Sequence, residues 1–392
     1  MGEAVIVSTA RTPIGTAFKG SLVDVDGLAL GTSVVREIVS RSGMDPALFD
    51  DVILGESLYG GGDIARYAAI EAGLEGVPGL AHNRHCASGL AAISTASASI
   101  RAGMDRAVIA GGVHSTSTMP TSTRRVPGTD DWESWMSPSH AERPDAPAMD
   151  MTITVGWNAA TEAGVTREQM DAWALRSHER AVAAIDAGAF VEEIYPVNIV
   201  ERDGSTRTFS VDEHPRRSSS MEKLAALPPL HPEIEGFSIT AGNSAGLNDA
   251  AGAVVVVDDS LLASEGLEAL AVVRGWASVG IAPERTGLAP TLAIPKALDR
   301  VGLTIDDVDL WEINEAFASM CVATTRILEI DEEIVNVLGS GCSLGHPIAM
   351  TGSRMVISLI HELRRRGGGT GVAAMCAGGG MGSAVVLEVP AP

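Results

Sequence analysis

Short apolar runs without polar alternation recur along this chain, each separated from the next by a stretch of helical periodicity. EAVIVSTA (3–10), DDVILGES (50–57), RAVIAGGV (106–113), AVVVVDD (253–259), ALAVVRGWASVG (269–280), VDLWEINEA (308–316) and SAVVLEV (383–389) read as strands buried on both faces. Helical patterns fill 27–42, 63–74, 87–103, 291–302, 317–329 and 348–366. A strand covered on both faces needs helices on both sides, so the alternation predicts an α/β fold in layers. With 392 residues the chain exceeds one ordinary core, and two or more domains are expected.

The middle breaks the rhythm. Residues 118–150 are rich in Thr, Ser, Pro, Asp and Trp and carry little periodicity. TREQMDAWALRSHERAVAAIDAG (166–188) follows as the clearest helix, with Thr166 as N-cap, Gln169 completing a capping box and Gly188 ending it. A polar stretch then runs to about 236. Residues 118–244 therefore read as an insertion between two α/β halves, 1–117 with 245–264 and 265–392. By pattern RAVIAGGV and GVAAMCAGGGMG each end a strand in consecutive glycines, which hints at duplication.

The formal net charge is −22, which argues against nucleic acid and membrane partners. A polyanionic ligand would need a local basic patch. No apolar run reaches the length of a membrane span, and MGEAVIVSTARTPIG lacks the basic start and apolar core of a signal peptide. Cys86, Cys321, Cys342 and Cys376 form no CxxC pair, so neither a metal site nor a disulfide framework is expected. Isolated thiols fit a reducing cytoplasm.

Four motifs carry possible chemistry. In HNRHCASGLAAI (82–93), Cys86 stands before a helix of small residues. A helix start lowers a thiol pKa and favours a nucleophile, although a free Cys is more often a small buried hydrophobe. In GCSLGHPIAMTGSRM (341–355), His346 sits on a stiff corner beside Pro347 at a helix start, suiting a general base or a hydrogen-bonded structural His. MCAGGGMGSA (375–384) could aim backbone N–H groups into a pocket or merely turn between strands. Asn314 in EINEAFA (312–318) could cap a helix or hold a water.

Taken in order, these motifs resemble the thiolase family. ARTPIG (10–15), AGGVHS (110–115), TAGNSAGLND (240–249), NEAFA (314–318), GHPIAMTGSR (345–354) and CAGGGMG (376–382) extend the match over nearly the whole chain. The resemblance implies two pseudo-twofold-related βαβαβαββ halves plus an inserted loop domain. It implies cleavage of 3-ketoacyl-CoA by CoA, or the reverse condensation of two acyl-CoA molecules, within fatty acid and lipid metabolism. By motif, Cys86 is similar to the nucleophile that takes the acyl group as a thioester and His346 to its base. Cys376 is similar to the acid/base for the α-proton, and Asn314 to the holder of a water in one oxyanion hole. The N–H groups of Cys86 and Gly378 resemble the second. CoA and acyl-CoA are then substrates, no permanent cofactor or metal is needed, and a homodimer or homotetramer is expected.

Within this resemblance, the CoA contacts fall on the insertion. HPRRSSSMEK (214–223) offers Arg216, Arg217 and Lys223, with Arg124 and Arg125 as a weaker site, and Ser244 belongs to the TAGNSAG motif near the pantetheine arm. Departures from the family pattern occur at TITVGWN (152–158), at Ala245, at His114 and at Ser340 and Cys342. They suggest retained chemistry with a reshaped acyl pocket. Two rivals remain: a ketoacyl-synthase-like condensing enzyme, which lacks the CxGGGxG thiol, and a non-catalytic thiolase-like subunit that binds CoA or a partner.

Overall fold

This computed structural model describes residues 2–59 and 61–392. One large sheet runs in the order Leu310–Ile313, Gly369–Ala377, Met381–Val389, Ala271–Gly280, Ala4–Arg11, Asn248–Asp258, Ala107–Ser115, Asp51–Gly55 and Gly79–His82. The joint between its halves is thin, with Val5 opposite Val272 and Ile6 opposite Ala271. Outward from Ala4–Arg11 the pairings run antiparallel, antiparallel, parallel, parallel. Outward from Ala271–Gly280 the sequence is the same, ending in a single parallel bridge of Trp311 to Val335 where the other half has Gly79–His82. Both halves are thus βαβαβαββ units related by a pseudo-twofold, as the resemblance implies.

The helices sort into layers by what they bury. Ser88–Arg101 and Thr351–Arg365 share one central core with residues of both half-sheets, including Leu90, Ile93, Val254, Val256, Val356, Ile360, Val385 and Leu387. Gly27–Ser42 and Ile64–Glu71 cover the outer face of the first half through Leu30, Val34, Ile38 and Ala68. Pro290–Asp299 and Ala318–Leu328 do so for the second through Ile294, Ala297, Met320 and Ala323. The central helices cross where side chains vanish. A Cβ on Gly352 would strike the backbone of Leu90, and one on Gly89 would lie 2.8 Å from Ala349 O. The small residues after Cys86 serve this crossing, which draws both helix starts together.

Two sequence expectations need correction. RAVIAGGV does not end at its glycines, because the strand runs on through Gly111 and Gly112 to Ser115. They are there for clearance: a Cβ on Gly111 would collide with Gly252 O and one on Gly112 with Ala349 O. The strand expected from 253 begins at Asn248, where pairing with Ser115 and Thr16 outweighs the poor strand propensity of NDAAG.

Between Ser115 and Asn248 the chain builds a cap. It contains a hairpin (Ser122–Arg125 with Trp132–Trp135), π-helical turns over Thr152–Trp157 and the long helix Arg167–Asp186. That helix has its capping box, with the Thr166 N–H donating to Gln169 Oε1 at 3.0 Å. Buried ties fix the cap to the sheet. Arg11 donates to Glu193 and Asp212, all three fully buried, so each charge has its partner.

Candidate active site

Cys86 lies just before the helix Ser88–Arg101, with Ala87 at the N-cap and no side-chain cap bond there. Its predecessor His85 has φ +46°, a left-handed backbone that a non-glycine residue adopts at a cost. The turn is held by Ser88, whose Oγ accepts from Arg84 N–H at 2.9 Å and donates to His85 O at 2.7 Å. The expected lowering of the thiol pKa does not occur. Burial pushes Cys86 up to about 11, and the backbone N–H groups of Gly378 and of Cys86 itself pull only partly against it. Cys86 in the resting site is therefore a thiol, and a base must take its proton.

A buried imidazole stands on the matching corner of the other half. His346 is buried in the loop between Gly341–Leu344 and Thr351–Arg365. Pro347 is not at the helix start as expected; its carbonyl instead accepts from the Thr351 N–H and Oγ. The backbone N–H of His346 donates to Asn248 Oδ1 at 2.9 Å, and Asn248 Nδ2 donates to Gly15 O. Thr351 Oγ1 lies 2.7 Å from His346 Nδ1 and spends its one hydrogen on Pro347 O at 2.9 Å. It must accept from Nδ1–H, so Nε2 carries the lone pair. Burial, with His114 and Arg354 adding to it, holds the imidazolium pKa down to about 3, so the ring is neutral. Nε2 is buried and has no partner among the described residues.

Three glycines let this loop reach the Cys86 corner. Gly55, Gly89 and Gly112 leave space for the carbonyl of Ala349, which a Cβ at any of them would crowd. Cys376 ends its strand at the same place. Its thiolate would repel that of Cys86, and burial raises its pKa strongly. Sγ lies 3.5 Å from Met320 Sδ. The turn Gly378–Gly380 follows, with Gly379 and Gly380 at φ +81° and +75°. A Cβ on Gly380 would strike Ile281 O, so the corner needs glycine there. At Gly378 the need is different: its N–H points at Cys86 and its Cα faces the His85 ring.

Asn314 does not cap a helix. The next helix starts at Ala318 after an uncapped Phe317, and the Asn314 side chain turns toward His346, with Nδ2 3.5 Å from Nδ1. That is too long for a direct bond. Oδ1 of Asn314 is buried without a partner among the described residues. Its neighbour Glu315 is fully engaged, accepting from Trp173 Nε1, Ser177 Oγ, Asn336 Nδ2 and Cys342 N–H. Cys342 is buried and its pKa is raised well above normal, so it is an unreactive thiol near the site.

The basic residues named from sequence lie on the cap, away from these groups in contact terms. Arg217 pairs with Asp186 at 2.5 Å, and Lys223 Nζ donates to Ser218 O at 2.6 Å. Arg216 is exposed; burial holds the pKa of His178 and of the half-buried His214 down, and the Arg216 charge adds to that. Ser244 is buried and donates to Thr240 O at 2.7 Å, which makes it a turn-former. Arg124 pairs with Glu133 and stacks on Trp135. Sequence reasoning did not single out Thr351, Asn248 or His85. The first two lay inside the quoted motifs, but only their bonds reveal that they hold His346. Arg354 was also missed: it donates to Glu312 at 2.6 Å and to Ser340 Oγ at 2.8 Å beneath the His346 loop.

A half-buried thiol, a neutral imidazole, a second, buried thiol and inward backbone N–H groups on a two-fold repeated α/β sheet define an acyl-transfer site of the thiol-nucleophile class. The family models "Thiolase, N-terminal domain" and "Thiolase, C-terminal domain" match residues 4–260 and 267–389. The chain is 38% identical over 400 residues to an acetyl-CoA acetyltransferase of Pseudomonas aeruginosa, covering 99% of each. It is 39% identical over 408 residues to a 3-ketoacyl-CoA thiolase of Bacillus subtilis, covering 99% of this chain and 100% of the relative. The crystal structure of the Bacillus anthracis acetyl-CoA acetyltransferase superposes with a TM-score of 0.92 at 38% identity, covering 99% of each chain. The chain belongs to the thiolase family and is an acyltransferase.

Proposed function

We propose that Cys86 is the nucleophile of a thiolase that cleaves 3-ketoacyl-CoA with CoA or runs the reverse condensation. The observation that carries this reading is the pair of buried atoms left open, His346 Nε2 and Asn314 Oδ1, beside a thiol that receives the Gly378 N–H. Buried polar atoms are normally paired, so these two are open to a ligand or a water. His346 Nε2 takes the Cys86 proton as Sγ attacks the 3-keto carbon. The N–H groups of Cys86 and Gly378 receive the charge that develops on that oxygen. The C2–C3 bond then breaks, leaving the acyl group on Cys86 and an acetyl-CoA enolate. Cys376 protonates the enolate carbon, while His346 Nε2–H and a water on Asn314 hold its oxygen. CoA thiol gives its proton to the Cys376 thiolate and attacks the acyl-Cys86 thioester; the C–S bond to Cys86 breaks, the acyl group leaves on CoA, and Cys86 takes its proton back from His346 Nε2. Splitting the reaction at a thioester divides one hard step into two.

Arg216 is proposed as a CoA phosphate contact, supported by its exposure and its lack of an acidic partner among the described residues. Arg217 and Lys223 contribute less, since each is already engaged. Ser244 is proposed to line the pantetheine arm through its backbone turn. A homodimer or homotetramer and a cytoplasmic setting are part of the same reading; the isolated thiols fit the second of these. Among the described residues no helix is long and apolar enough to cross a membrane.

The test is turnover of acetoacetyl-CoA plus CoA, and of longer 3-ketoacyl-CoA esters, by the purified protein. Release of acetyl-CoA that vanishes in Cys86→Ala is expected. Absence of turnover on every ester would overturn the reading.

A further inference from the structure

One face of the sheet runs directly under the His346 loop. Alternate residues of a strand share a face, and residues directly opposite on antiparallel strands share it too. Gly112 lies opposite Gly252 and His114 opposite Ala250, so Val108, Ala110, Gly112 and His114 join Asn248, Ala250, Gly252 and Val254 on one face. A Cβ on Gly112 would strike Ala349 O, and one on Gly252 would crowd Met350 Cε. Asn248 Oδ1 on this face accepts from the His346 N–H at 2.9 Å. His114 is the one ionisable residue in the set. It is 1% exposed, and its Nδ1 has no partner among the described residues. Acyl transfer as proposed above gives this second imidazole no task.

Its surroundings decide its charge. Burial holds the His114 pKa down to about 4, with the Ser57 backbone pulling only partly against it, so the ring is neutral at pH 7. The acids that reach this region are already engaged. Glu312 is paired with Arg354, and Glu315 accepts from Trp173, Ser177, Asn336 and Cys342. Glu56 accepts the N–H groups of Gly62 and Ile64, and Asp249 that of Ser117. Cys86 and Cys376 are thiols. The charges that act on His346 itself are those of His114 and Arg354.

We propose that His114 is a positioning residue, an uncharged ring beneath the His346 loop that keeps a counter-ion away from the base, so that His346 waits as a neutral imidazole and Cys86 as a thiol. The proposal rests on His346 being the base for Cys86. A carboxylate in the same place would favour the imidazolium and turn the resting pair into thiolate and imidazolium. With a neutral ring there, Cys86 loses its proton only as it attacks, and the base stays competent as the pH falls.

The experiment compares the natural protein with His114→Gln and His114→Glu, and with His114→Asp should Glu prevent folding, each checked by circular dichroism. Two readouts are taken: the rate at which iodoacetamide alkylates Cys86, which needs no turnover, and kcat/KM for acetoacetyl-CoA across pH. Alkylation at pH 7 is expected to rise at least about tenfold in the carboxylate variant and to lose most of its pH dependence, while Gln stays within about threefold of the natural protein. A base whose pKa is raised becomes protonated as pH drops, so kcat/KM should fall at least about fivefold from pH 8 to about 5.5 in the carboxylate variant. The natural protein and Gln should lose less than about twofold over the same range. A carboxylate variant with the natural alkylation rate and pH profile would overturn the inference. So would a Gln variant that reproduces the carboxylate's shifts, because the ring and not its neutrality would then matter. Either result leaves the thiolase reading intact. Absence of turnover on acetoacetyl-CoA and longer esters removes that reading, while alkylation still decides whether charge at residue 114 governs the Cys86–His346 pair.

Discussion

The same connection is made twice in this molecule, with opposite results. In the second half the chain passes from Gly369–Ala377 to Met381–Val389 through three glycines. In the first half the equivalent step, from Ala107–Ser115 to Asn248–Asp258, carries the whole cap. Both strands pack the same way on a central helix, so the scaffold tolerates either. The difference lies in what each loop can deliver. Three glycines bring a backbone N–H to the sulfur of the opposite half, since nothing projects from the turn. The cap brings walls and charges that a turn has no room for. Helix starts diverge likewise: Ser88-Gly89 follows a thiol and Thr351-Gly352 follows an imidazole. The two halves bring two helix starts to one place, with a thiol before one and an imidazole before the other.

The sharpest way to break this division is to remove one side of it. Cys86→Ala should lower kcat by at least about 10⁴-fold with the fold intact, as judged by circular dichroism. Retention of activity would mean that Cys376 carries the acyl group and the halves have the opposite roles.

Both corners are uncharged at rest, and that is readable by pH. With its pKa pushed up to about 11, Cys86 is a thiol at pH 7. A raised thiol pKa means that the thiolate fraction grows with pH, so iodoacetamide should alkylate Cys86 about tenfold faster per pH unit between about pH 7 and 10. Acyl-CoA should protect it. A plateau near pH 7 would show a thiolate–imidazolium pair at rest, with the helix start outweighing burial.

The symmetry of the crossing comes next. Gly89→Val and Gly352→Val each force a side chain into backbone of the other helix. Each should destabilise by roughly 3 kcal/mol, read as a lower urea midpoint at unchanged slope. A much smaller cost for one of them would show that the helices part there easily and that the corners are not held equally.

How much of this was legible beforehand follows from what each feature rests on. The strands at 4–11, 51–55 and 383–389 were legible because β-branched runs buried on both faces leave a local trace. GLAH (79–82) left none, being short, unbranched and made a strand only by its partner Asp51–Gly55. The glycines at 111–112 were misread as an ending because their purpose, room for Gly252 O at Gly111 and for Ala349 O at Gly112, comes from far along the chain. Site residue types were legible through the resemblance, but their state was not. The thiol pKa of Cys86 depends on burial, and the tautomer of His346 depends on where Thr351 sends its hydrogen.

That hydrogen gives a smaller, more specific test of the second corner. Thr351→Val keeps the shape and removes the acceptor of His346 Nδ1–H. An unpaired buried N–H costs about 1–3 kcal/mol, so the ring should turn or change tautomer. The expected result is a loss of roughly tenfold in kcat with KM for CoA unchanged, and Thr351→Ser should restore most of it. If Val is harmless, Asn314 or a water fixes the base instead.

The smallest effect concerns the cap against the sheet. Net charge opposes CoA everywhere, so binding depends on local cations that are not already neutralised. Arg216 meets that condition better than Arg217, which is paired with Asp186; Lys223 keeps its charge but holds its ammonium on Ser218 O. Being exposed, it should contribute modestly. Arg216→Ala is expected to raise KM for CoA about two- to fivefold without changing kcat. The difference from the natural protein should shrink as salt rises from about 50 to 300 mM, because exposed charges are screened over a Debye length. Arg217→Ala should do less. A larger effect at Arg217 would mean that its pairing with Asp186 yields to CoA and that the cap reads the phosphates from the other side of the loop.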